Sequence, residues 1–405
     1  LTISHVARTA ALFTLAAVLA APAGAQSTAT PAPAAAKPWY ERIAVRGYGQ
    51  IRYNRLLETN EDFKCDQCDR SIGDLGGIFI RRARIIFSGQ IHPRVYIYLQ
   101  PDFASSVGTS GNVVQLRDWY TDLGLTEDNS LRLRLGQSKV PYSFENLQSS
   151  QNRLPLDRAD ATNSAASNER DMGAFVYWAP AKSRALFRSL VADGLKGSGD
   201  YGVVAFGSFN GQTANRVDGN NGQHIVARVS VPLEVGSQII EPGIAAYTGN
   251  YVVTSDQRST GIKGTSDFDY RDERILGSFV IYPKPFGILA EYNIGRGPEF
   301  NPATDSIETR RIEGGFVTAT YQFQAKGQTF FPFARYQVYE GGKKHERDAR
   351  SYSVNDFEVG LEWQPSPSFE LVSAMYFGDR RYEDLQAQDN KQKGRFLRLQ
   401  AQFNF

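Results

Sequence analysis

The side chains best suited to chemistry are arginines that return in phase along extended-looking stretches. "RIAVRGYGQIRYN" (42–54) carries Arg42, Arg46 and Arg52; "FIRRARIIFSGQI" (79–91) carries Arg82 and Arg84; "LRLRLGQSK" (131–139) carries Arg132 and Arg134. Successive side chains of a strand point to opposite faces. Each arginine set therefore shares one side, while Ile43, Val45, Ile51, Ala83, Ile85 and Phe87 take the other. The same phase selects Arg228, Arg335 and Arg398, opposed by Asp102, Asp118, Asp122, Glu291, Glu358, Glu362 and Glu370. A guanidinium stays charged, is weakly hydrated for a cation and can grip two oxygens of an oxyanion at once. The implied chemistry is non-covalent: binding small oxyanions. The basic excess is modest, so any preference must come from clustering at a narrow point.

Other chemistries are poorly served. His92, His224 and His345 fall in a turn, at a strand start and in a loop, which leaves no acid–base pair for an enzyme. The glycine pairs of "RGYGQI" and "IGRGPEF" lack the third glycine and the strand-to-helix setting of a dinucleotide site. No cofactor is expected. "DFDYRDE" (267–273) lacks calcium-loop spacing and reads as a solvated loop near cations associated with lipopolysaccharide; no metal site is expected. Cys65 and Cys68 read as a small disulfide clamp in an oxidising compartment, since zinc would need two further ligands. A formal net charge of +2 gives no basis for nucleic-acid binding.

The element that positions the arginines is a repeated hairpin. About ten alternating residues, a short turn, ten more and a longer polar stretch recur along the chain, which is the pattern of a transmembrane barrel. Short turns read "HPR", "TEDNS", "PLEVG", "PKP", "QAKGQ" and "QPSPS". Longer polar stretches run over 58–77, 140–170, 210–222, 251–268, 296–309, 341–350 and 379–391. Sixteen candidate strands result. The predicted fold is an all-β, 16-stranded antiparallel transmembrane β-barrel with short periplasmic turns and long outer loops. The segment 179–199 departs from the pattern: too long for a tight turn, it is either an insertion or a misread strand. A mean hydropathy of −0.39 fits a barrel that hides half of each strand in a wet lumen. The last stretch, "RFLRLQAQFNF", alternates Leu397, Leu399, Ala401, Phe403 and Phe405 against Arg398, Gln400, Gln402 and Asn404, and is expected to close the sheet onto its first strand. Trp39, Tyr40, Trp363 and Phe405 suit interfacial girdles. At the other end, a basic residue, an apolar run and Ala23-Gly24-Ala25 predict a secretory signal peptide over 1–25, followed by an Ala/Pro-rich periplasmic tether (26–41) and the barrel (42–405). The expected location is the outer membrane of a Gram-negative bacterium.

From "FIRRARIIFSGQI" onward, the chain resembles the phosphate-selective porin O and P family. "LRLRLGQSKVPYSFE" (131–145), "GVVAFGSFNG" (202–211), "ILAEYNIG" (288–295), "PFARYQVYEGGKKHE" (332–346), "GLEWQPSPSFEL" (360–371) and the last strand carry the likeness. The resemblance implies a trimeric outer-membrane channel for anions, with phosphate as the named solute. It also implies that 140–170 folds inward as a constriction loop bearing Arg153, Arg158 and Arg170. Its arginine pair corresponds to "RRA", so Arg81, Arg82 and Arg84 are expected on the anion pathway, with Lys139 and the lumen acid Asp118 beside them and Arg134, Arg228 and Arg335 along the wall. Strict alternation sends Arg81 toward lipid unless a bulge intervenes. The terminal Phe405 is similar to the signal read by the barrel-assembly machinery.

Overall fold

The computed structural model describes residues 38–63, 77–107 and 110–405. The signal-peptide expectation and the Cys65–Cys68 clamp lie outside the described residues. β1 (Ala44–Leu56), β2 (Ile78–His92), β3 (Val95–Val107) and β4 (Ser110–Gly124) open the sheet. β5 (Leu131–Lys139), β6 (Arg170–Trp178) and β7 (Val204–Phe209) follow. β8 (His224–Ser230) resumes after Pro232 as Leu233–Val235, because proline has no N–H to give the ladder. Then come β9 (Gln238–Val252), β10 (Asp269–Ile281) and β11 (Phe286–Asn301). β12 (Ser306–Tyr321) resumes as Phe323–Ala325, and β13 (Gln328–Gly342), β14 (Ser351–Ser366), β15 (Phe369–Asp384) and β16 (Ala387–Asn404) complete the set.

Each strand pairs antiparallel with its neighbours, and β1 pairs with β16 through Tyr48↔Asn404 to Leu56↔Leu397. The sheet is a closed 16-stranded antiparallel β-barrel. In β16, Arg398, Gln400 and Gln402 are buried inside, while Phe403 is exposed on the outside. The same polarity holds around the wall: Ile51, Ile80, Leu135, Phe206, Ile244, Ile275, Phe279, Val317, Phe357 and Leu361 are large apolar residues left exposed on the outer face. A continuous apolar outside over a polar inside is the arrangement a bilayer selects. Among the described residues no helix is long and apolar enough to cross a membrane.

Three sequence expectations are corrected. The polar stretches 296–309 and 379–391 are not open loops; β11 and β12 stay paired out to Asn301↔Ser306, and β15 and β16 out to Asp384↔Ala387. These hairpins carry polar residues on both faces, such as the Asp379–Lys393 pair at 2.9 Å, so the alternation fades while the ladder continues. Arg42 belongs to a 3-10 turn ahead of β1 rather than to the strand, and donates to the Ile91 carbonyl at 3.4 Å.

The irregular stretch after β6 is an insertion at the short-turn end. It starts as helix α3 (Ala181–Ala192); α1 (Phe144–Leu147) and α2 (Asp160–Asn163) are one-turn helices of the 140–169 loop. "AKSRALFRSLVA" is rich in good helix formers. Its Phe187 and Leu190, three residues apart on one face, are the ones buried. Gly194, at φ +69, stops it: its N–H donates to the Val191 carbonyl and that of Leu195 to the Leu190 carbonyl, the paired bonds of a left-handed helix cap.

Candidate functional site

The loop from Val140 to Glu169 folds into the barrel, and wall cations hold every acid it carries. Glu145 takes Arg335 Nη2 at 2.6 Å, together with the Ala159 N–H at 2.9 Å and the Thr162 hydroxyl at 2.8 Å. Asp157 meets Arg52 at 3.1 Å, Arg81 at 3.6 Å and also Arg398. Asp160 is paired with Arg380 at 2.8 Å and with Lys343. Glu169 bonds Arg170 at 2.5 Å and Arg158, while Arg170 also reaches Asp118 at 2.8 Å. Burial alone would raise the carboxyls of Asp157, Asp160 and Glu169, but the adjacent guanidinium and ammonium groups outweigh it and hold all three well below the usual range. Apolar anchors complete the attachment: Leu154 and Leu156 pack with Phe331, Phe333, Val372 and Ala374 of the wall.

On the facing wall a register shift falls between Gln50 and Ile51, so Gln50 pairs with Arg82 while Ile51 pairs with Ile80. Arg81 is the extra residue of that bulge, and this is how its side chain turns inward to Asp157. Arg84 is bound at 2.8 Å by Asp102, which Arg117 also approaches at 3.4 Å. Arg134 is held by both oxygens of Asp122, at 2.7 and 2.9 Å, and lies 3.8 Å over the Tyr120 ring. Arg228 pairs with Glu241 at 3.2 Å.

Three predicted cations differ from all of these. Among the described residues, the buried Arg82 donates only to Gln50 Oε1, at 2.7 Å, and its Nε has no partner. Arg153 donates to the carbonyls of Pro155 and Leu156, at 3.1 and 3.0 Å, and its Nη1 has no partner among the described residues. Lys139 donates to the carbonyls of Leu147 and Gln148, at 2.8 and 2.9 Å. Among the described residues, no carboxylate lies within ion-pair reach of any of them. Arg82 and Arg153 are also close enough to repel one another. A buried charge without a counterion is unfavourable, which sets these three apart from the paired cations of the wall. Between residues 140 and 170, Arg153, Arg158 and Arg170 are nearly balanced in the sequence by Glu145, Asp157, Asp160 and Glu169, which hid this: the acids are occupied by the wall.

Several lumen cations escaped the sequence reading. Lys343 and Lys344, in a "GGKKHE" stretch read as an outer loop, turn inward to Asp160 and Asp272. Arg380, placed in a loop by the faded alternation, bridges Asp160 and Asp356. The histidines were expected to stay apart. His92 lies at the rim, but His224 meets Asp272 at 3.2 Å and the His345 ring packs 5.2 Å from Tyr251, so both border the Lys344 group.

Residues 57–405 match the family described as "Phosphate-selective porin O and P". No curated protein matches the chain by sequence. By fold it is similar to the outer membrane channel DcaP of Acinetobacter baumannii, with a TM-score of 0.55 at 12% identity over 90% of this chain and 97% of that one. Similar likeness is found to OmpF of Salmonella typhi, solved with daunomycin, at 0.55 and 13% over 90% and 97%. The anion-selective porin from Comamonas acidovorans gives 0.52 and 11% over 90% and 99%. Identities this low speak for the barrel alone; the family match covers most of the chain. The chain belongs to the phosphate-selective porin O and P family and is an outer-membrane channel protein.

Proposed function

We propose that the barrel is a passive, anion-preferring diffusion channel whose favoured solutes are phosphate or polyphosphate, and that it performs no covalent chemistry. The observation that carries this reading is the set of buried cations without carboxylate partners: Arg82, Arg153 and Lys139. An anion entering a constriction sheds hydration water, and fixed positive charge compensates that loss. Paired arginines such as Arg84 and Arg134 contribute a screen of alternating charge along the wall; the unpaired ones set the sign of the passing ion. We further propose a homotrimer in the outer membrane, in contact with lipopolysaccharide and inserted by the barrel-assembly machinery. Residues 1–25 would be the signal peptide, 26–41 the periplasmic tether and 42–405 the barrel. The zero-current potential of purified protein in planar bilayers across a KCl gradient tests the central point. An anion-selective sign is expected, and a cation-selective sign rejects the reading. Titrating phosphate against the chloride current then separates a phosphate channel, which is blocked at millimolar phosphate, from a general anion channel, which is not.

A second reading is favoured by one observation, the extent to which the lumen is filled. Nearly all of its charged side chains are buried, as in a structural barrel whose outer loops bind partners. Such a barrel carries no current under any condition.

A further inference from the structure

Two chain segments enter the lumen, one from each end, and they meet. The constriction loop comes from the long-loop end. From the short-turn end, the stretch after α3 crosses the lumen before returning to β7. Its Leu195, with Leu190 of α3, packs against Phe144 of the constriction loop and Ile239, Val280 and Tyr282 of the wall. Gln148 Nε2 donates to the Lys196 carbonyl at 2.7 Å. The ammonium of Lys196 is paired with Glu362 of β14 and lies 4.5 Å from the Phe331 ring centre of β13. Those strands lie on the opposite side of the ring from β6 and β7, where the segment is rooted. The return limb is fixed by Asp200, which binds Arg132 at 2.8 Å and Arg184 at 3.1 Å.

The crossing limb carries little backbone bonding of its own. Backbone–backbone bonds tie Leu195 to α3 and Val203 to Trp178, but none is donated by the N–H groups of residues 196–200. Gly194, Gly199 and Gly202 all hold positive φ, as hinge positions do at little cost. Lys196 itself sits at φ +63, a conformation that disfavours a residue with a Cβ. Its contacts with Glu362 and Gln148 therefore hold a backbone that would otherwise relax. Below it, a cavity of about 390 Å³ lined by Asn152, Asp193, Lys196, Gln364 and Glu370 ends against this limb and the constriction loop. We propose that residues 193–203 are an inner gate, latched across the lumen by Lys196 on Glu362, whose release joins that cavity to the constriction above. This rests on the channel reading, and it makes the filled lumen the closed state of a conducting barrel.

The test uses the full chain with Cys65→Ser and Cys68→Ser, in planar bilayers and in proteoliposomes. Lys196→Met and Glu362→Gln each remove one half of the latch, and the swap Lys196→Glu with Glu362→Lys rebuilds it in reverse. Single-channel conductance is read for each, together with the labelling rate of a thiol introduced by Ser198→Cys, which is buried in the latched state. Both single substitutions are expected to raise conductance and to speed labelling by about tenfold, as loss of a buried pair implies, with the swap returning both toward the parent. Unchanged labelling and conductance in every folded variant overturn the gate. If no variant carries current, the channel reading fails, and the labelling rate still decides whether the limb is released. Folding of each variant is checked by circular dichroism and by heat-dependent gel mobility, and a misfolded single variant is replaced by Lys196→Gln or Glu362→Met.

Discussion

Arg335 on β13 and Glu145 on α1 form a buried ion pair at 2.6 Å, which ties the constriction loop to the wall opposite its point of departure. The guanidinium also reaches the Asp157 carbonyl at 2.9 Å, so one wall residue fixes both limbs of the loop. Removing one partner of a buried pair leaves the other uncompensated. Arg335→Met is therefore expected to destabilise the barrel by about 3–5 kcal/mol, and the double change Arg335→Met with Glu145→Met by markedly less. Urea titration of protein folded into vesicles measures both.

The unpaired cations predict an uneven response to mutation. Arg82→Gln, Arg153→Gln and Lys139→Met should each move the zero-current potential toward cations at a smaller cost in stability than loss of a paired arginine, because no carboxylate is stranded. Arg134→Gln removes the same formal charge but leaves Asp122 without its bidentate partner; a loss of stability is expected there. Replacing Arg82 and Arg84 together with Glu should reduce or reverse anion preference. Equal shifts from Arg82 and Arg134 would mean that charge at any height of the lumen counts alike.

Acid should spare the Asp157 and Glu169 ion pairs of the constriction loop until low pH. The carboxyls of Asp157 and Glu169 lie well below their usual values because arginines surround them. A depressed folded-state value gives stability that is present above the unfolded value, near pH 4, and lost as pH falls through the lower folded one. The Asp157 and Glu169 ion pairs should thus contribute no change in conductance between about pH 7 and pH 5, and their hold on the loop should weaken progressively below about pH 4. Current recordings and proteolysis across this range would detect an earlier transition.

The closing seam predicts a steric effect. A Cβ added at Gly47 would sit 2.6 Å from the Phe405 ring and 2.5 Å from the Arg84 carbonyl. Gly47 and Phe405 exchange backbone hydrogen bonds at 2.7 and 3.0 Å. Gly47→Val should therefore loosen the β1–β16 pair, costing about 1–3 kcal/mol, and appear as a lower heat-dissociation temperature on gels.

Much of this architecture was legible in the sequence because lipid imposes a simple rule: one apolar face, one polar face, in steps of two. Arg82, Arg84, Arg134 and Arg398 followed from phase alone. Arg81 did not, since a bulge is set by the pairing of two strands rather than by either one. Above the membrane the rule lapses, which is why paired residues such as Arg380 and Asp384 read as loop. Lys343 and Lys344 looked solvated because their carboxylate partners, Asp160 and Asp272, are far away in the chain. The inward limb after α3 was equally hidden, for its polar composition suits water or a polar lumen alike. Pairing, too, lay beyond the sequence: only three-dimensional proximity distinguishes the neutralised Arg134 from the unneutralised Arg82.

The bond between β1 and β16 has a consequence for the order of assembly. Tyr48 meets Asn404 and Tyr53 meets Leu399, so the first strand waits, with an open edge, until the residues of β16 are made. Hairpin contacts between successive strands can form as each pair emerges, but this one requires the largest loop closure in the molecule. Until then two unpaired edges face a solvent that cannot satisfy them once they enter lipid. Ring closure is therefore the step at which insertion and folding must coincide, and the seam at Gly47 and Phe405 is where a delay would leave the chain most exposed to strand addition by another molecule.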